Sequence, residues 1–177
     1  LPTRPEAVAI SSEQFDFTST LAVFRGNVRA QPEGAALSCG VLKATFVPGG
    51  SVVQQIEAEQ QVVFEQKEAR TTGEKAVYLP KEDIITLTGN PTWKAGGKEG
   101  GGDLIRINNK TKEFLVSRNV VVKLVPDQML SLDWLSRASQ TNPAAPNRLP
   151  IEIRSDELVS RTNSAVFRGR VRLIDPQ

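Results

Sequence analysis

The chain has 177 residues, and its 22 basic and 20 acidic side chains give a net charge of +2, which is too small to indicate nucleic acid as a partner. It contains no histidine and one cysteine, Cys39, which excludes an internal disulfide, a multi-cysteine metal site and histidine-dependent catalysis. We therefore expect no metal and no cofactor. No apolar run approaches the ~18 residues that cross a bilayer, so we also expect no transmembrane segment.

A unit of two strands can be identified five times along the chain. Its first half has a small residue, usually an acid next, and apolar residues at the fourth and sixth places; it lies at 12–17, 39–44, 73–78, 102–107 and 155–160. Its second half alternates apolar residues and breaks at a Gly-Asn-like pair before Val or Pro; it lies at 22–28, 56–62, 85–91, 114–120 and 165–171. The first and last copies align without a gap at an offset of 143 positions. Such a repeat is typical of stacked supersecondary units.

Strand-like alternation runs through residues 7–125, which we interpret as one domain of about a dozen antiparallel or rolled strands. Turn residues at 48–50, 89–91, 96–102 and 108–110 are predicted to separate these strands. An open sheet has two unpaired edges, and we expect them near Val8–Ile10 and Val120–Lys123. Cys39 is expected to be a buried strand residue, because a free cysteine behaves as a small hydrophobe.

The remaining residues differ in character. Residues 126–149 form a predicted connector, with a short helix over 127–139 followed by a proline-rich linker. Residues 150–177 hold the fifth unit, which is either the start of a second domain of the same kind or a strand pair that docks on a sheet edge. Docking predicts two strands, with Phe167 and Val171 against apolar residues.

Several strands resemble a known family in sequence. They are AVFRGNV at 22–28, IEAEQQVVF at 56–64 and the pair AVY and ITLTGNP within 76–91. In this order they resemble the OstA-like family of lipopolysaccharide transport proteins, which includes LptA, LptC and the N-terminal domain of LptD. The resemblance covers 7–125 and part of 150–177. It implies an all-β protein, with a twisted β-jellyroll of V-shaped section built from repeated strand pairs.

The resemblance also implies a location and a mode of action. The location is the periplasm of a Gram-negative bacterium. The apolar interior would hold lipid A acyl chains, while modules stacked end to end would form a bridge from the inner to the outer membrane. The expected partners are lipopolysaccharide or a related glycolipid, other OstA-like transport components, and further copies of the chain in a head-to-tail homo-oligomer.

The interior of such a fold is lined by the inward-facing apolar residues of the repeat. The predicted lipid-binding residues are Phe15, Phe17, Phe24, Val28, Phe64, Tyr78, Ile85, Leu87, Ile105, Ile107, Phe114 and Val116. Any β-sandwich of this length needs a similar core, and alternation alone does not separate the two interpretations. Arg25 and Arg29 lie on the polar face, where they would either bind headgroup phosphates or form a solvated surface that protects a sheet edge.

Two further groups of residues have features of a functional site. The repeat places an acid at its second position in four units, at Glu13, Glu74, Asp103 and Asp156. A glycosidase needs one pair of carboxylates, so this recurrence favours turn or surface residues over catalysis. The two tryptophans, Trp93 and Trp134, flank predicted loops, and we expect them to cap an open end of the sheet rather than to bind sugar.

The sequence therefore predicts a non-enzymatic module that binds and transports lipopolysaccharide. The alternative is a structural or scaffold module of the cell envelope, which binds protein through open β-edges and carries no lipid. A third candidate, a carbohydrate-acting β-solenoid enzyme, is disfavoured because the chain has no histidine and no single cluster of polar residues.

Overall fold

The computed structural model of the chain describes residues 8–32, 34–124, 149–162 and 164–175. These residues form 14 β-strands and no helix, which confirms the all-β prediction. The helix predicted over 127–139 lies outside the described residues, as does Trp134. The strands are β1 (Ala9–Ser11), β2 (Gln14–Phe17), β3 (Leu21–Gln31), β4 (Ala35–Phe46), β5 (Val53–Gln66), β6 (Ala69–Leu79), β7 (Ile84–Thr88), β8 (Thr92–Ala95), β9 (Lys98–Gly101), β10 (Leu104–Asn108), β11 (Glu113–Leu124), β12 (Ile151–Arg161), β13 (Ser164–Arg168) and β14 (Arg172–Ile174).

All of these strands belong to one antiparallel sheet. Its order is β1-β3-β4-β5-β6-β7-β10-β11-β12-β13, and we call each of these ten positions a rung. The short strands β2, β8, β9 and β14 extend the rungs of β1, β7, β10 and β13, because each pairs with the same neighbouring long strand. Every rung thus has two halves, and the sheet consists of two half-sheets that share a bend.

The bend is made by the second half of the repeated unit. Its break is in each copy a pair of residues with positive φ: Gly26–Asn27, Gln60–Gln61, Gly89–Asn90, Arg118–Asn119 and Gly169–Arg170. Where the pair lies inside a long strand, the register with the neighbouring strand shifts, as in a β-bulge. We call these five places corners. Gly89–Asn90 is therefore a corner that separates β7 from β8, as predicted for 89–91, but the chain does not reverse there, because both strands pair antiparallel with β6.

The acidic residues predicted to be turn or surface residues lie opposite the corners, and Glu13 and Glu74 are exposed. The amide N–H of Asp103 donates to the carbonyls of Ser117 and Arg118, at 3.1 and 3.0 Å. The carboxylate of Asp103 accepts hydrogen bonds from Asn119 Nδ2 at 3.1 and 3.2 Å. Glu13 contacts Asn27 in the same way. The sequence repeat thus encodes a corner, and at Glu13 and Asp103 the acid satisfies both the bulged backbone and the amide side chain of the corner.

The two half-sheets face each other across an apolar interior. Trp93 of the half-sheet that contains β8 makes an edge-to-face contact with Phe114 of the other half-sheet, with ring centroids 5.8 Å apart. One buried cluster includes Leu42 with Val28, one from each half-sheet, and a second includes Ile105 with Trp93. A rolled sheet of this kind is a β-jellyroll, as predicted.

Two predicted features of the domain are wrong. The unpaired edge expected near Val120–Lys123 is an internal part of β11, which pairs with β9 on one side and β12 on the other. The glycine-rich stretch expected to be a loop over 96–102 contains β9. Gly100 leaves room in this strand, because a Cβ atom there would lie 2.9 Å from the Trp93 ring and 2.8 Å from the Val121 carbonyl oxygen.

The fifth unit continues the same sheet in three strands rather than two. β12 pairs with β11 from Ile151 opposite Leu124 to Ser160 opposite Phe114. β13 and β14 pair in turn with β12. Phe167 packs against the buried cluster of β11 and β12, whereas Val171 is exposed and does not pack as expected.

Cys39 is buried in β4, as predicted, and burial raises the pKa of its thiol from 9.0 to about 11. Because the folded protein holds this proton more tightly than the unfolded chain, the corresponding stability is present below pH 9 and is lost as the pH rises towards 11. We expect the free energy of unfolding of the wild type, relative to Cys39→Ala, to fall by ~2–3 kcal/mol over that range. Urea titrations of both proteins test this, and parallel pH profiles would contradict it.

Candidate lipid-binding interior

Two rows of side chains line the inner face of the half-sheet that contains β2 and β13. The first row consists of successive cross-strand neighbours, namely Phe15, Phe24, Leu42, Ala58, Ala76, Leu87, Ile105, Val116, Leu158 and Phe167. The second row is Phe17, Ala22, Ala44, Ile56, Tyr78, Ile85, Ile107, Phe114, Ser160 and Ala165. Each row crosses all ten rungs, so the apolar lining is continuous from one sheet edge to the other.

The facing half-sheet contributes a third row. It runs through Ile10, Ala30, Leu37, Phe64, Thr71, Trp93, Gly100, Val122, Ile153 and Leu173. Val28 lies next to it, beside the corner of β3, and is fully buried. The structure therefore places all twelve predicted interior residues on the inward side of one roll. Whether they bind lipid stays a prediction.

The lining is buried in the middle of the roll and exposed at both ends. Leu87, Ile105, Phe114 and Val116 are buried. Phe15 and Phe17, on the first rung, are 56% and 63% exposed, although each stacks on aromatic neighbours of the same end. On the last rung Leu173 is 59% exposed. Phe15 and Phe17 are thus inward-facing residues at an uncovered end and not core residues.

Several charged residues lie on the outer face and pair with one another. Lys43 Nζ donates to Glu59 at 2.9 Å, and this bond lowers the pKa of the Glu59 carboxyl. Lys75 bridges Glu59 and Glu57 at 3.0 and 3.1 Å. These partly exposed surface pairs contribute little stability individually. They give the roll a polar exterior around its apolar lining.

The two arginines considered for headgroup binding belong to this exterior. Arg25 forms an ion pair with Asp16. Arg29 lies opposite Ser11 and Ser38 on the exposed face of β3. Neither arginine lies on an inner row, so headgroup binding by them would take place outside the roll.

Two interior residues were not identified from the sequence. Trp93, expected to cap an open end, is instead buried on the third inner row. Lys98 is only 5% exposed, and burial lowers the pKa of its ammonium group. Side chains alternate along β9, so Lys98, two residues before Gly100, lies on the inner face as Gly100 does. The sequence did not indicate this, because the glycine content of 96–102 predicts a loop and not a strand. Leu42 and Leu158 also lie on the first inner row and were not among the predicted interior residues. The sequence could have identified them, because they occupy the fourth place of the unit, as Phe15 does.

Other kinds of site find no support in the described part of the chain. Within it, no group of three or more acidic, cysteine or histidine side chains is arranged to hold a metal ion. None of its residues form a helix long and apolar enough to cross a membrane.

The sheet topology and the apolar roll agree with comparisons to known proteins. The family model of the LptA/(LptD N-terminal domain) LPS transport proteins matches residues 9–113, more than half of the chain. The chain belongs to this family. It is therefore a lipopolysaccharide transport module and not an enzyme.

A solved structure shares the fold. It is LptH of Pseudomonas aeruginosa, described as the LptA-homologous periplasmic component of the conserved lipopolysaccharide transport device. The two chains superpose with a TM-score of 0.58 over 98% of each, at 11% sequence identity. None of the curated proteins compared with the chain matches it in sequence. At this identity the likeness to LptH concerns the fold, and it includes the region of β12–β14 that lies beyond the family match.

Proposed function

We propose that the LPS transport module acts in the periplasm by holding the acyl chains of lipid A between its two half-sheets. The observation that carries the proposal is that the inner rows cross every rung and that exposed apolar residues lie at both edges, Phe15 and Phe17 on the first rung and Leu173 on the last. A closed sandwich core would be covered at its ends. A lining that stays apolar up to an open end allows an acyl chain to enter, and burial of apolar surface contributes ~25 cal/mol per Å².

We further propose that copies stack head to tail, so that their interiors join into a bridge between the two membranes. Two edges of the described sheet are unpaired, the β1/β2 rung and the β13/β14 rung. Inside the chain, a second-half strand always pairs with the first-half strand of the next unit, as β11 does with β12. The β13/β14 rung is a second half and the β1/β2 rung is a first half, so a second copy would continue the alternation.

The repeat also predicts the register of this junction. Phe24 pairs with Leu42 and Val116 with Leu158 at two internal junctions. Transferred through the repeat, the same register sets Phe167 opposite Phe15 of a second copy, and Leu173 opposite its Ile10. The junction would thus cover the exposed apolar residues of both edges, which otherwise favour non-specific association.

A substitution at one edge tests the stacking. We expect Leu173→Asp to weaken self-association by ~10-fold or more, because the junction would bury an unpaired carboxylate. Val52→Asp is the matched control, since Val52 is 65% exposed in the β4–β5 loop, away from both edges. Sedimentation velocity over a concentration series measures the association. Equal behaviour of the two variants would contradict the proposed junction.

Native mass spectrometry tests the cargo. Protein purified from a Gram-negative host is expected to carry lipopolysaccharide or a related glycolipid in a stoichiometric complex. A lipid-free oligomer that also fails to take up added lipopolysaccharide would favour the alternative, a scaffold module that binds protein through its edges.

A further inference from the structure

The five corners form a column along the bend of the sheet, in which positive-φ pairs alternate with the acids of four units, and Gly40 takes the place of the acid in the second unit. Asp156 shows the pattern: the pairing of Ser117 with Glu157 and of Val120 with Ser155 places it opposite Arg118–Asn119. On its other side, the Asp156 N–H donates to the Gly169 carbonyl at 3.0 Å. An internal acid thus lies between the corner of its own unit and the corner of the preceding one.

The column is incomplete at both sheet edges. Glu13 lies against the corner of its own unit, where its N–H donates to the carbonyls of Arg25 and Gly26, both at 3.1 Å, but no described rung precedes it. The Gly169–Arg170 corner likewise has Asp156 on one side and no described rung on the other. The first edge therefore has an acid without a preceding corner, and the last edge has a corner without a following acid, so the two edges complement each other.

The last corner differs chemically from the others. Its second residue is Arg170, where the other four corners have the uncharged amides Asn27, Gln61, Asn90 and Asn119. The difference is also the single change between AVFRGNV at 22–28 and AVFRGRV at 165–171. Among the five corners, the one that faces an open edge of the described sheet thus carries a cation in place of an amide.

The geometry of Arg170 leaves part of its guanidinium available. Nε and Nη2 donate to the Asp156 carboxylate at 3.0 and 2.7 Å, while Nη1 makes no hydrogen bond to a described residue. The side chain is 83% exposed. A guanidinium group has five donors in a planar fork and can bind two carboxylates.

We infer that Arg170 is a specificity residue of the head-to-tail junction and that it binds the Glu13 carboxylate of a second copy while it keeps its bond to Asp156. This inference rests on the proposed stacking. The carboxylates of Asp156 and of the second copy's Glu13 would then lie on either side of one cation, as Asp103 and Asp156 lie on either side of the Asn119 corner. Arg170 would therefore select, among possible partner edges, one that has an acid at the corner position, as the β1/β2 edge has in Glu13.

The inference is tested with Arg170→Gln and with Arg172→Gln as its matched control. Both variants remove one positive charge from the same edge rung, but Arg172 lies on the exposed face of β14, opposite Arg154, and not at a corner. Sedimentation velocity at low and high salt is expected to show ~10-fold weaker association for Arg170→Gln and a change within ~2-fold for Arg172→Gln. The salt dependence of association should also shrink for Arg170→Gln alone.

A charge exchange between two chains provides the second test. Arg170→Glu and Glu13→Arg are each expected to associate poorly with themselves, whereas their mixture should form heterodimers, because the exchanged charges again face each other. If the wild type does not associate, the stacking fails and the inference falls with it. If the wild type associates but Arg170→Gln matches Arg172→Gln, and each exchange variant associates with itself as well as with the other, the stacking stands and the role of Arg170 is wrong.

Discussion

Leu158→Ala is expected to lower the free energy of unfolding by ~2–5 kcal/mol. Leu158 is buried on the first inner row, between Val116 of β11 and Phe167 of β13, and it belongs to the same apolar cluster as Leu87 and Ile105. We propose that residues 151–174 are an integral part of the domain that begins at β1, and this substitution tests that division of the chain. Urea denaturation measures the effect.

Val166→Ala is the control for this substitution. Val166 lies on β13, next to Phe167, but its side chain points outward and is 43% exposed. Val166→Ala should lower the free energy of unfolding by less than ~1 kcal/mol, as surface substitutions usually do. If Leu158→Ala also costs less than that, or if two unfolding transitions are observed, the fifth unit is a separate domain and the continuous ten-rung sheet does not hold the chain together.

The second large effect is expected from a charge on the inner face, and it depends on depth. Leu87→Asp should prevent folding, because Leu87 is buried in the middle of the roll, where a carboxylate cannot reach water. Phe24→Asp should fold, because Phe24 is half-buried beside the open first rung. Its affinity for lipopolysaccharide should nevertheless fall ~10-fold or more, since the charge would lie among acyl chains.

Circular dichroism and a lipopolysaccharide-binding titration separate these outcomes. Val52→Asp again serves as the control, because it adds the same charge at an exposed loop outside the inner rows. Unfolding of Phe24→Asp together with Leu87→Asp would indicate an ordinary sandwich core. Normal lipid affinity of a folded Phe24→Asp would show that lipid binds elsewhere.

Much of this architecture follows from the repeat in the sequence. The fourth and sixth places of the unit, occupied by Phe15 and Phe17 in the first copy, become the two inner rows, because strand side chains alternate and antiparallel register keeps equivalent places opposite each other. The resemblance of 22–28, 56–64 and 76–91 to the OstA-like family identified the jellyroll and the family correctly.

Other features could not be predicted, for physical reasons that particular residues show. A Gly-Asn pair such as Gly89–Asn90 supplies positive φ equally to a chain reversal and to a bulged bend, so local sequence does not distinguish the two. The glycines of β9 suggested a loop, because the contact that explains Gly100, its close approach to the Trp93 ring, is between residues that only the fold brings together. Strand pairing likewise decides which edges are free, which is why the edge expected at Val120–Lys123 is covered by β9 and β12.

Site-specific photo-crosslinking to lipopolysaccharide is the most direct test of the proposed interior. Phe24 and Arg25 are adjacent on β3, but Phe24 lies on the first inner row, whereas Arg25 pairs with Asp16 on the outer face. A photoreactive residue at position 24 should crosslink to lipopolysaccharide, and one at position 25 should not. Equal crosslinking at both positions, or crosslinking at position 25 alone, would contradict transport of lipid between the two half-sheets.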